Sequence, residues 1–218
     1  MYLPAQFQGD RAQAAALMRD HPFASLVSID GSGLPFITHL PLHLELGEPD
    51  ATGQQAFTLL GHVARGNPHW RYLQARPQAV VTFLGPHGYL SPQVYPDLAR
   101  VPTWNYLAVH CTVHASLIEE ASAKNRLVQK LIADHEPDYA QQWHQQEPGY
   151  VQQMLSGIVG FELQVSDLQC KLKLNQHRPE AFSAIWSMYV KGSDGEQELA
   201  RWMERIGMKD KPDIPGGR

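Results

Sequence analysis

The segment Phe83 to His110, FLGPHGYLSPQVYPDLARVPTWNYLAVH, decides the fold. It lies between an apolar run, Ala79 to Leu84, and a second strand-like run, Tyr106 to Val113, with glycines, prolines, Tyr89, Tyr95 and Trp104 in between. Buried strands normally join through short polar turns, so a long connection of this kind is either functional or disordered. Its aromatic content argues against disorder. The expectation is a functional loop carried by two strands.

Upstream, Asp10 with Gln13 three residues on predicts a capped helix to about Asp20, ended by His21-Pro22. Phe23 to Ile29 has strand character, Asp30 to Gly33 turns the chain, and Leu34 to Leu46 forms a second strand interrupted by Pro35 and Pro41. There Leu40, Leu42, Leu44 and Leu46 alternate with Pro41, His43 and Glu45, so one face is buried and the other is not. Ala56 to Val63 is a third strand, and Asn67-Pro68 caps and opens a short helix, His69 to Ala75. Further strands fall at Val80 to Leu84, Tyr89-Leu90 and Trp104 to Ile118. So many one-sided strands bury most economically in a closed or partly closed antiparallel barrel.

Beyond Glu119 the pattern turns helical, with Leu127, Val128, Leu131 and Ile132 in one stripe and Ser122 as N-cap. Ile158 to Val165 returns to strand. Two amphipathic helices follow, one opened by Pro179 with Phe182, Ile185, Trp186 and Tyr189, the other from Gly195 with Leu199, Trp202, Met203 and Ile206, before a tail from Lys209 expected to fray. The class is therefore α+β, mainly β.

The 218 residues, 43% hydrophobic and 18% charged, suit one globular domain of generous size or a domain with a small appendage. Cys111 and Cys170 have no paired metal-ligand spacing, which disfavours a disulfide framework or zinc ribbon and makes a reduced, cytoplasmic setting the expectation. No apolar run approaches the ~18 residues of a membrane span, so no membrane is expected. A net charge of -4 without a dense Lys/Arg cluster disfavours charge-driven nucleic-acid binding by a monomer.

No nucleophile elbow, Walker loop, dinucleotide-binding fingerprint or zinc-protease helix is present. His62, Arg65 and Asn67 sit where a strand ends and a short helix begins, so first-turn amides and a guanidinium can cradle an anion, or Asn67 is a plain cap and Arg65 a surface charge. His110, Cys111 and His114 are metal-ligand types, but on a strand the cysteine points away from the two histidines, and no metal is expected. Trp104 and the tyrosines can stack on a planar ring or fill core. Lys171 and Lys173 precede the donor-rich turn Asn175-Gln176-His177-Arg178, and either bind a ligand or form a solvated face.

The segments THLPL (Thr38 to Leu42), GHVARGNPHW (Gly61 to Trp70), FLGPHGYLSP (Phe83 to Pro92), VPTWNY (Val101 to Tyr106) and KLKLNQHR (Lys171 to Arg178), in this order and spacing, resemble the PaiB family of FMN-binding negative transcriptional regulators. The resemblance covers nearly the whole chain. It implies a split antiparallel β-barrel of the kind shared with pyridoxamine-phosphate oxidases and flavin reductases, a homodimer, and FMN in the groove between subunits. Residues 1–178 would form that domain, and 179–218 would be C-terminal helices packed on it or swapped across the dimer. Thr38 and His39 would lie beside the flavin ring, while His62, Arg65 and Asn67 would serve the phosphate and ribityl chain. Thr103, Trp104 and Asn105 would flank the ring or the partner subunit, and Lys173 and Gln176 would close the site. Two departures stand out: Gln93-Val94-Tyr95 where the family has Ser-Trp-Tyr, and Lys173-Leu174-Asn175-Gln176-His177 where it has K-L-S-Q-N.

The function implied is an FMN-binding regulator of the repressor type, with DNA as a partner for which the acidic balance offers no support. The alternative is an FMN-dependent oxidoreductase, in which the flavin supplies the chemistry and no acid-base dyad is needed. A haem-handling relative of the same barrel is a third reading. Arg65→Ala is expected to weaken FMN binding more than Lys171→Ala, on the premise that Arg65 is desolvated and Lys171 exposed.

Overall fold

A computed structural model describes residues 1–51, 53–95 and 100–208; the frayed tail expected from Lys209 lies outside them. Seven strands form one sheet: β1 (Phe23–Ile29), β2 (Pro35–Pro41), β3 (His43–Pro49), β4 (Gln55–Ala64), β5 (Gln78–Leu90), β6 (Thr103–Ile118) and β7 (Ile158–Lys173). Their order is β2-β1-β5-β6-β7-β4-β3. The helices are α1 (Arg11–Asp20), α2 (His69–Ala75), α3 (Ala121–His135), α4 (Ala140–His144), α5 (Pro148–Ser156), α6 (Phe182–Val190) and α7 (Asp194–Arg205). The chain divides into two compact units, the first comprising Met1–Gln13, Leu84–Ala108 and Gln169–Arg218, the second Ala14–Phe83 and Val109–Leu168.

In the second unit β1 pairs antiparallel with β2 and β5, and β4 pairs antiparallel with β3 and β7. The expected single strand over Leu34 to Leu46 is two strands, because Leu42 N donates instead to Pro22 O at 3.0 Å and the chain changes partner from β1 to β4 there. The leucine alternation survives the break: Leu40, Leu42 and Leu44 are buried and Leu46 is half-buried. Gly61 is required where β4 passes the β2–β3 junction, since a Cβ there would meet Leu42 Cδ2 at 2.5 Å. Helix α3 lays Leu127 and Leu131 on Leu60, with Ile118 and Val128 at the margin. Its cap is Glu120 rather than Ser122; the carboxylate accepts from the Ser122 and Ala123 amides, a stronger charge-assisted version of the same device.

The first unit contains the ends of β5, β6 and β7 together with α6 and α7. Asp10 and Gln13 cap the start of α1 reciprocally, at 2.8 and 2.9 Å, as the sequence predicts. Tyr189, Leu90, Leu107, Leu174, Ile185, Leu199 and Met203 are fully buried. The long loop expected after Leu84 is shorter than its composition suggests, since β5 runs on through Gly85-Pro86-His87-Gly88 to Leu90. Gly88 permits this by leaving room for α7: a Cβ would lie 3.0 Å from both Glu196 Cγ and Leu199 Cδ1. The connection proper is Ser91 to Pro102, of which residues 96–99 lie outside the described residues.

Candidate functional site

The site residues expected from sequence fall into two sets, one in each unit. In the second unit Thr38 on β2 meets the β4–α2 connection. Asn67 Nδ2 donates to Thr38 Oγ1 at 3.2 Å, and the same hydroxyl lies 2.7 Å from His69 Nδ1. Asn67 Oδ1 accepts from the His69 backbone N–H at 3.0 Å, so Asn67 caps α2 and braces β2 together. The Nδ1–Oγ1 contact is compatible with either neutral tautomer of the ring and leaves Nε2 as its other polar atom. That atom is buried and has no hydrogen-bond partner among the described residues. Phe36 meets the ring edge to face at 5.2 Å, and burial pulls the His69 pKa down to about 4, so the imidazole is neutral.

His39, exposed on the outer face of β2, pairs with Ser25 across the strand, Nδ1 to Oγ 2.9 Å. His62 on β4 is half-buried; burial lowers its pKa, and its Nδ1 also lacks a partner among the described residues. Thr38, Asn67 and His69 thus converge, while His39 and His62 occupy other positions on the strands. Arg65 behaves differently from its expected role. Its guanidinium donates to Ser156 O at 2.9 Å and Ile158 O at 3.3 Å and forms an ion pair with Glu119 at 2.9 Å. A carboxylate already on the guanidinium opposes a phosphate in the same place, and the side chain is exposed rather than desolvated.

In the first unit Lys173 donates to Thr103 Oγ1 at 2.7 Å and to Trp104 O at 2.5 Å. Trp104 is exposed and shares an aromatic surface with Tyr89 and His87, with ring centres at 6.1 and 6.2 Å. Asn105, expected beside the flavin ring, is fully buried, and neither end of its amide nor the nearby Tyr189 hydroxyl has a hydrogen-bond partner among the described residues; burial pushes the Tyr189 pKa up and Asn105 pulls it down. A ligand does not reach it from outside. Gln176 spends both ends of its amide inside its own turn, accepting from Leu174 N and donating to Leu172 O. Lys171, taken for an exposed charge, is buried; its ammonium donates to Tyr2 O at 3.0 Å and lies over the Tyr2 and Tyr106 rings. The premise for ranking Arg65 above Lys171 is therefore reversed.

His69 was missed as a site residue although it stands in GHVARGNPHW; the available signal was a histidine in the first turn of a helix opened by Asn-Pro. His110 and His114 point to one side of β6 and the buried Cys111 to the other, and no group of three metal-ligating side chains occurs among the described residues.

Residues 1–167 match the family described as "Putative FMN-binding domain". The Bacillus subtilis protein named Protease synthase and sporulation protein PAI 2 is 32% identical over 208 residues, spanning 94% of this chain and 97% of that protein. Among solved structures, the flavocytochrome Anf3 from Azotobacter vinelandii superposes with a TM-score of 0.59 at 16% identity, over 75% of this chain and 67% of its own. A conserved hypothetical protein from Mycobacterium tuberculosis gives 0.57 at 14% identity, over 79% and 91%. These likenesses show the fold, a split antiparallel β-barrel with peripheral helices.

Proposed function

The chain belongs to the FMN-binding domain family, and from that premise we propose that it is a homodimeric, FMN-holding regulator of the repressor type, the role suggested by the name of its Bacillus subtilis relative. The observation that carries this reading is the network of Thr38, Asn67 and His69, which ties together the THLPL and GHVARGNPHW segments. The residue chemistry fits the cofactor. His62 and His69 each present a buried ring nitrogen without a partner among the described residues, and neutral donors and acceptors of this kind suit a heteroaromatic ring and a polyol chain.

In the second unit Thr38, His39, His62, Arg65 and Asn67 are proposed to serve FMN. In the first, Thr103, Trp104 and Lys173 are proposed as contacts, with Gln176 holding the turn in place and the buried, unpartnered Asn105 amide beneath them on the strand. Bound FMN supplies reversible electron transfer. The protein's own residues orient it: His69, held neutral by burial, presents an uncharged Nε2, and Thr38 fixes the orientation of its ring. DNA is the proposed partner of the dimer.

A visible spectrum of the purified protein, with and without added FMN, is the first test. Saturable quenching of flavin fluorescence at one FMN per chain is expected, weakened about tenfold by Thr38→Val. Unchanged flavin fluorescence across the titration sinks the cofactor reading. Mobility shift with specific and random duplexes at two salt concentrations tests the DNA partner, which fails if no sequence preference survives.

A further inference from the structure

The first unit contains a cavity of about 410 Å³ whose lining includes Lys173, Arg178, His177 and Arg100, with Thr103, Asn175 and Tyr95 between them and Phe7 as an apolar wall. No aspartate or glutamate lines it among the described residues. Its size falls in the range of small-molecule sites.

Two of the cavity's cations, Lys173 and Arg178, have no close carboxylate among the described residues. Lys173 gives protons to Thr103 Oγ1 and Trp104 O, both neutral, and has no carboxylate partner among the described residues. Burial, and then Lys171 nearby, hold the Lys173 ammonium below its usual pKa, which marks a cation that lacks a counter-charge. Arg178 has only a long contact with Glu180, 3.7 Å between Nη1 and Oε1. His177, packed edge to face on Phe7, has its pKa lowered first by burial and then by Arg178, with Glu180 pulling the other way and Lys173 and Arg100 adding smaller pushes.

The polar groups are also held in place. Asn175 has a φ of 70°, a left-handed conformation uncommon outside glycine, and in it Nδ2 donates to Tyr95 Oη at 2.7 Å. That bond leaves the Tyr95 hydroxyl hydrogen free to be given away. Gln176 clamps the same turn from both sides, and Arg178 N donates to Asn175 O at 3.0 Å. Strain of this kind, held by its surroundings, gathers at ligand sites.

We propose that this cavity binds a small molecule bearing a phosphate or carboxylate group, in addition to FMN, with Lys173 and Arg178 meeting its charge and Tyr95 and Thr103 donating hydrogen bonds. The proposal is separable from the FMN reading: if Lys173 and Thr103 meet this anion they are not contacts of FMN, and anion binding at FMN saturation decides between the two assignments. If the protein is the flavoprotein proposed above, the ligand is its small-molecule effector or substrate.

Calorimetric titration of the full chain with inorganic phosphate, and separately with acetate, tests this. Saturable binding of at least one of the two is expected, phosphate alone marking a phosphorylated ligand and acetate alone a carboxylate. Lys173→Met and Arg178→Gln should each weaken binding about tenfold or more, and the exposed Lys191→Met should leave it unchanged. Arg178 lies at the exposed margin, so its variant keeps the test decisive if Lys173→Met does not fold. Protein saturated with FMN should bind the anion as well as apoprotein does. Loss of anion binding on FMN saturation overturns the separate site, as does the absence of saturable binding to either probe, or binding by both variants as tight as that of the unsubstituted protein. Anion binding by a protein that takes up no FMN would leave this cavity standing and remove the cofactor reading.

Discussion

In the second unit Thr38, Asn67 and His69 spend most of their hydrogen-bonding capacity on one another, whereas in the first unit Lys173 and Arg178 line a cavity with no acid in its described lining. The first arrangement is neutral and closed. Its work is geometric: it fixes a strand against a helix start and orients a buried ring, leaving only the His69 Nε2 of that ring without a partner among the described residues. The second is cationic and open, and its hydrogen bonds aim charge rather than neutralise it. Networks that satisfy themselves confer shape, while uncompensated charge confers affinity for something absent from the chain itself. Each prediction below tests whether that division holds.

The largest effect is expected from acid. His69 has a folded pKa of about 4 against an ordinary value of 6.5, so between those values the unfolded chain takes up a proton that the folded one refuses. The stability due to this group is fully present above 6.5 and is lost as pH falls toward 4. The loss is about 2 to 3 kcal/mol, and His62, whose pKa is lowered by burial, adds in the same direction. Urea midpoints at pH 7.5 and 4.5 check this, with His69→Gln flattening the difference. An equally steep loss in the variant would show that the second unit's closed network is not what acid opens.

Next in size is Thr38→Val, which keeps the shape but removes the hydroxyl that Asn67 and His69 share. A buried ring nitrogen and a part-buried amide lose their partner, and a cost of about 2 kcal/mol is expected by denaturant titration. The same substitution at Thr103 in the first unit should cost under about 1 kcal/mol, because Lys173 keeps the Trp104 carbonyl and gains access to water. Equal costs would erase the distinction between a closed and an open cluster.

Much of the second unit was legible in the sequence, since its signals are local. The bounds of β1 and of α2, the Asn67 cap and the leucine alternation all follow from periods and caps within a few residues. The switch of partner at Leu42 was not, because one amide chooses between distant carbonyls there. The first unit was harder to read for a related reason. Its residues come from three stretches of chain, and what buries Lys171 or encloses Asn105 is Tyr2, Tyr106 or Tyr189, far away in sequence. Glycine and proline in Phe83 to Leu90 suggested a loop, where tertiary packing of α7 on Gly88 kept a strand.

Lys171 and Arg65 carry the comparison into single cations. Lys171→Ala removes a buried ammonium that ties Tyr2 O to β7, and should destabilise by about 2 kcal/mol. Arg65→Ala removes two bonds to carbonyls at an exposed position, and about 1 kcal/mol is expected. Thermal or urea unfolding of the two variants side by side gives the order, and the reverse order would place the buried cation in the wrong unit.

The smallest effect separates shape from affinity at Arg65 itself. The Arg65–Glu119 pair is about half exposed on both sides, so Glu119→Gln should change stability by less than about 0.5 kcal/mol. The substitution nonetheless leaves the guanidinium held by Ser156 O and Ile158 O while removing the negative charge that competes with an anion for it. If Arg65 also serves the FMN phosphate, the variant should bind FMN about two- to threefold more tightly at low salt, and the gain should vanish near 0.5 M salt, where screening is strong. An FMN affinity that does not move at either salt concentration would assign Arg65 wholly to the closed, shape-setting side of the molecule, leaving Lys173 as the cation to which the cofactor reading is tied.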